Sequence, residues 1–115
     1  MDSLRDAREA CMIYVTVGSD AEARAIARAL VTEKLVACAN ILGPATSLYR
    51  WQGQIEEAQE LVMICKTTRD RVAAASARVK SLHTYETPCI TVYAMAEADP
   101  RFLGWIETET RAREA

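Results

Sequence analysis

Histidine is almost missing from this sequence. The 115 residues include one, His83, so any histidine chemistry within a single chain depends on that position. No apolar run approaches the roughly 18 residues that a membrane-spanning helix needs, so no membrane association is expected. Charge of one sign is also lacking: 14 Lys and Arg stand against 16 Asp and Glu, a formal net charge of −2. Nucleic acids and anionic membrane surfaces select clustered positive charge, and this balance supports neither as a partner. The sequence contains no P-loop, dinucleotide glycine motif, nucleophile elbow or zinc-ligand repeat. No nucleophile–base pair can be placed either. A hydrolase therefore lacks its chemistry, and the chain is read as a non-enzyme.

Cysteine is present but unpaired in pattern. Residues 11, 38, 65 and 89 form no C-x-x-C motif, and each lies in or at the edge of an expected strand. In a reducing compartment such residues act as small buried hydrophobes. Half of the residues are hydrophobic, enough for a core without disulfides. The segment Met1–Glu9 is polar and of mixed charge, without the apolar centre of a secretory signal. It reads as part of a flexible lead-in over residues 1–10. Residues 11–115 then form one domain, expected in the cytoplasm.

What the sequence does have is a long hairpin, Val36–Lys66. Two β-rich arms flank Gln52-Gly53, where Gly53 can take the positive φ of a tight turn. The first arm, 16 residues to Trp51, would span roughly 50 Å if straight, whereas a ~100-residue domain has a radius of gyration of about 13 Å. Either Gly43-Pro44 bends the arm or its apolar tip overhangs the domain. An overhanging tip bearing Leu48, Tyr49, Trp51 and Ile55 needs another chain to cover it.

The remaining elements follow in order. Cys11–Val17 is a near-continuous apolar run and reads as a strand buried on both faces, hence a central one. Ser19 and Glu22 fit a capping box for a helix running to about Lys34. Thr67 or Thr68 caps a second helix, and Pro88 precedes a strand over Cys89–Met95. Asp99-Pro100 opens a third helix. The order β-α-β-β-α-β plus a terminal helix predicts an α+β ferredoxin-like sandwich, with two helices on one face of a four-stranded antiparallel sheet. The other sheet face is left uncovered, and subunit association is the simple way to cover it.

Candidate site residues keep two readings each. His83 is either a solvated loop residue or a metal ligand or subunit contact; imidazole suits copper, zinc or nickel. Cys38 packs in the core or serves as a thiol ligand near the base of the arm. Tyr49 and Trp51, with Arg50, pack against a neighbour or form a ligand patch. Lys66 is a solvated strand end or an anion contact. Glu56, Glu57 and Glu60 read as a solvated strand edge.

Four separated runs carry a resemblance. They are Glu33–Asn40, Ser47–Gly53, Lys66–Thr68 and His83–Pro88, and over residues 11–110 they resemble the divalent-cation tolerance protein CutA family. The resemblance implies a ferredoxin-like homotrimer built through the long hairpins, with an assembly like that of the PII signalling proteins. It also implies an association with tolerance of copper and other divalent metals. Cys38, Tyr49, Trp51, Lys66, His83, Tyr85, Pro88 and Trp105 stand where the family pattern places them. In the loop, Thr84 replaces a common proline and Cys89 a common glutamate. The first-strand cysteine and the second histidine of some members are absent; Tyr14–Val17 and Leu82 stand there instead. The implied metal candidates in a trimer are His83, Cys38 and Cys89. The alternative is a PII-like protein that binds a small anionic ligand or a partner protein in an intersubunit cleft, with Lys66, Tyr85 and Glu86 at that cleft.

Overall fold

The computed structural model describes residues 8–111. The elements are β1 (Ala10–Val17), α1 (Asp20–Thr32), β2 (Cys38–Trp51), β3 (Gln54–Thr68), a 3-10 turn (Arg69–Arg71), α2 (Val72–Leu82), β4 (Ile90–Ala94) and α3 (Pro100–Glu109). The strands form one antiparallel sheet in the order β2-β3-β1-β4. This is the ferredoxin-like arrangement that the element order predicts.

Side-chain alternation divides the sheet into two unlike faces. On one face Ile13, Val15 and Val17 of β1 and Met63 and Cys65 of β3 pack against Ala23, Ile26 and Leu30 of α1 and Ala75 and Val79 of α2. Burial pushes the Cys65 thiol up to about 12, so it stays protonated and behaves as a small apolar core residue. The other face carries Met12 and Tyr14 of β1, Val62 and Ile64 of β3, Leu42 of β2 and Tyr93 of β4. α3 packs at one end of it only, Ile106 against Ala10 and Thr110 beside Thr68, and Leu42 and Tyr93 are exposed. β1 is therefore central as expected, but within the single chain it is fully buried on one face only. Among the described residues no helix is long and apolar enough to cross a membrane.

Local signals account for most element ends. Ser19 caps α1 by accepting from the Glu22 amide at 3.1 Å. The reciprocal half of the capping box is absent, because the Glu22 carboxylate instead accepts from Thr84. Asp99 caps α3 by accepting from the Arg101 and Phe102 amides, with Pro100 at the first helical position. Thr68 precedes the 3-10 turn without capping it; its hydroxyl donates to Asp70.

The lead-in expected over residues 1–10 differs at its inner end. Residues 1–7 lie outside the described residues, but Arg8–Ala10 are fastened. Arg8 donates to both Asp70 carboxylate oxygens, at 3.0 and 3.1 Å, and to the Glu107 carbonyl at the end of α3. A cation is favoured there, because the last carbonyls of a helix carry partial negative charge. Glu9 pairs with Arg69 at 2.7 Å, and Ala10 already belongs to β1.

The hairpin turn is as the sequence predicts: Gln52 and Gly53 both take positive φ, 50° and 81°, the pattern of a type I′ turn. The radius of gyration is 15.0 Å and the longest dimension 45 Å. For a chain of this length about 13 Å would be compact, so the arm does overhang. At its tip Leu48 and Ile55 remain 66% and 65% exposed.

Gly43-Pro44 does something other than bend the arm sharply. The β2–β3 register runs Leu42↔Val62 and then Ala45↔Glu60, so two residues of β2 stand opposite Leu61 alone. One extra residue exchanges the faces for everything beyond it. Before the bulge Cys38, Asn40 and Leu42 lie on the open face; after it Ser47, Tyr49 and Trp51 do. Gly43 has φ +153°, and a Cβ there would sit 2.7 Å from the Leu61 side chain. Gly43→Ala is therefore expected to destabilise the chain by about 1–3 kcal/mol through backbone strain and overpacking. Chemical denaturation measures this; an unchanged midpoint would contradict the role given to Gly43.

Candidate functional site

The face exchange at Gly43 places Tyr49 and Trp51 over the same part of the open face as Thr16 and Glu60. The loop between α2 and β4 closes the far side with Tyr85, Glu86 and Cys89. Together these residues line a cleft of about 380 Å³.

Glu60 is the residue that the sequence reading missed. Its place beside Glu56 and Glu57 suggests a solvated edge, yet it is only 6% exposed. Its position explains the difference. Glu60 follows the alternation that puts Val62 and Ile64 on the open face, and the Tyr85 ring covers it from above. The Tyr85 hydroxyl donates to Glu60 Oε2 at 2.6 Å. The signal available in the sequence was the odd placement of a carboxylate directly before the apolar run Leu61–Cys65. Burial, then the Glu60 bond and charge, push the Tyr85 phenol well above the usual tyrosine range. Gly18 leaves the room that Tyr85 occupies: a Cβ there would meet the phenol oxygen at 3.2 Å.

His83 does not sit in solvent. Its side chain is fully enclosed. Nε2 lies 2.8 Å from the Thr16 carbonyl, and Nδ1 accepts from the Tyr85 amide at 3.1 Å. A carbonyl only accepts and an amide only donates, so these partners define a neutral ring with its proton on Nε2. The ring also lies against Tyr85, with centroids 4.6 Å apart. Beside it the Glu22 carboxylate takes the Thr84 amide at 2.8 Å and the Thr84 hydroxyl at 3.1 Å. The loop is thus pinned to β1 by His83 and to the first turn of α1 by Glu22. Thr84, with its amide hydrogen and hydroxyl, makes contacts that a proline there could not.

The three metal candidates do not meet within one chain. Cys38 and Cys89 are both thiols on the open face, half-buried and exposed respectively. They lie at opposite edges of a four-stranded sheet, so three strand spacings, about 14 Å, separate them laterally. Both nitrogens of His83 are engaged as described. Among the described residues no group of three His, Cys, Asp or Glu could hold a metal ion. Lys66 pairs across from Cys38 and donates to Asn40. It is six residues along β3 from Glu60, about 20 Å, and so is not beside Tyr85 and Glu86. Trp105 lies on α3, exposed and stacked on Phe102 with ring centroids 5.7 Å apart, outside the cleft.

Tyr85→Phe should leave the buried Glu60 carboxylate without its donor, at a cost of about 1–3 kcal/mol. The pH dependence has a definite sign. The phenol titrates higher folded than unfolded, so its contribution is complete below about pH 10 and is lost as pH rises through the folded value. Denaturation from pH 8 to 11 should therefore show a steeper alkaline loss in the parent than in Tyr85→Phe. Parallel curves would contradict the buried pair.

Known proteins resemble this arrangement closely. A family model described as CutA1 divalent ion tolerance protein matches residues 11–109. The divalent-cation tolerance protein CutA of Thermus thermophilus is 43% identical over 99 residues, 86% of this chain and 96% of that protein. The solved CutA of Xylella fastidiosa has a TM-score of 0.88 at 38% identity, covering 90% of this chain and 99% of its own. The solved structure described as the periplasmic divalent cation tolerance protein CutA of Archaeoglobus fulgidus has a TM-score of 0.86 at 39% identity, covering 89% and 99%.

Proposed function

Because the chain belongs to the CutA1 divalent ion tolerance family, we propose that it supports tolerance of divalent metals, copper among them, as a cytoplasmic homotrimer. In this reading it holds the ion where subunits meet and catalyses no reaction. The observation that carries the proposal is the donor chemistry of the cleft. Glu60, Glu86 and Cys89 line it, and among the described residues no lysine or arginine does. Carboxylates suit hard divalent ions and a thiolate suits copper.

Among the described residues, one chain brings too few donors together for a coordination shell. The proposal therefore assigns the remaining ligands to a second subunit. Cys89 is the donor of the three predicted candidates that faces the cleft. Cys38 reaches the ion only if a neighbouring subunit presents it. His83 acts as a brace for Tyr85 rather than as a direct ligand. The trimer reading draws on the uncovered apolar face and the exposed tip residues Leu48 and Ile55. Four free cysteines suit a reducing compartment.

The PII-like alternative, with a small anionic ligand or a partner protein in the cleft, draws less support. An anion needs positive charge, and the cleft lining offers carboxylates, while Lys66 lies about 20 Å away along β3.

Sedimentation at micromolar concentration should give a species of three chains, and a monomer would overturn the assembly. Isothermal titration with copper should show binding that Cys89→Ser weakens at least about tenfold, roughly 1.4 kcal/mol. Copper affinity unchanged by Cys89→Ser would remove the cleft as the metal site.

A further inference from the structure

The cleft has walls that a bare metal ion does not require. Three rings, Tyr49, Trp51 and Tyr85, line it together with the carboxylates of Glu60 and Glu86. In the single chain Tyr49 and Trp51 are 45% and 40% exposed, and both rings face the cleft. Glu60 is nine-tenths buried, and its bond from Tyr85 goes to Oε2. Its other carboxylate oxygen has no hydrogen-bond partner among the described residues. A buried carboxylate with an open oxygen, beside ring faces of negative quadrupole, selects positive charge. A divalent metal prefers a compact shell of oxygen or sulfur donors. An ammonium or guanidinium group on a short carbon chain also gains from the rings, which attract its charge and cover its methylenes.

We propose that this cleft binds a free small organic cation, an alkylammonium or alkylguanidinium compound. Its charged head lies against Glu60 and Glu86, and its carbon chain against Tyr49 and Trp51. The Tyr85 hydroxyl stays protonated and holds the Glu60 carboxylate in position from the opposite side. The volume agrees with a small ligand: about 380 Å³ is near the lower end for small-molecule pockets, and leaves room for roughly ten heavy atoms. This inference goes beyond metal tolerance and shares Glu60 and Glu86 with that reading. The aromatic walls set it apart, whereas Cys89 belongs to the metal reading alone.

The test is isothermal titration of the full-length chain, in its native assembly, with agmatine and 1,4-butanediamine. The uncharged 1,4-butanediol serves as control. Agmatine should bind saturably at one site per chain, and butanediol should give no saturable heat. Glu86→Gln, an exposed position unconnected to folding, should weaken agmatine at least about fivefold. Trp51→Leu should weaken it about tenfold in a sample whose sedimentation matches the parent. Agmatine should bind equally with a chelator present and no copper added, so the two readings fail separately. The proposal is overturned by absent agmatine binding, by an equal response to butanediol, or by a Glu86→Gln variant with parental affinity. Binding that appears only after dilution to single chains would assign the cleft to a neighbour's Lys or Arg and would also overturn it.

Discussion

The chemistry of the open face depends on one extra residue in β2. A strand alternates its side chains with a period of two, so a single insertion reverses the facing of everything beyond it. With Gly43 and Pro44 standing opposite Leu61, Tyr49 and Trp51 turn to the same face as Thr16 and Glu60. Leu48 and Arg50 turn to the other side. Both sides of the projecting tip then carry apolar groups, which is unfavourable for an arm in water and favourable for one held between neighbours. Gly43 makes this geometry accessible, because its positive φ and its approach to Leu61 leave no space for a Cβ.

The cleft's opposite wall is held by a chain of complementary donors and acceptors. His83 uses both ring nitrogens on backbone partners, one on β1 and one within its own loop. Glu22, free of its capping duty, receives the loop at Thr84. Tyr85 then projects over Glu60, which it both shields and hydrogen-bonds. A buried carboxylate without such a donor would be costly, and a phenol in this place gains a strong acceptor. The one histidine of the chain thus serves geometry, and the groups facing the cleft are carboxylates, rings and a thiol. That inventory favours cations of either kind, metallic or organic.

Much of the fold was legible because its signals are local. Ser19 and Asp99 mark helix starts by accepting hydrogen bonds from amides only two or three residues away, and Pro100 does so through its fixed φ. Gln52-Gly53 marks the turn through backbone conformation alone. The apolar runs Cys11–Val17 and Leu61–Cys65 mark inner strands, but they suggest burial on both faces, whereas the single chain fully buries one face of β1. The site was less legible. His83 sits in a polar-looking loop, so enclosure by α1 and β1 could not be read from its neighbours. Glu60 shares a stretch with Glu56 and Glu57, and only the Tyr85 ring, 25 residues later, distinguishes it. Cys38 and Cys89 are both thiols at strand ends, and their separation became evident only when the strand order placed them at opposite edges.

The sequence by itself determined the order of elements, the long antiparallel hairpin with its apolar tip and the family, because periodicity, caps, turns and motif runs are properties of adjacent residues. Only the tertiary structure decided which face each arm residue occupies, which carboxylate is buried and which candidate ligands meet. Those outcomes depend on a one-residue register shift and on packing between segments distant in sequence. No local propensity records either.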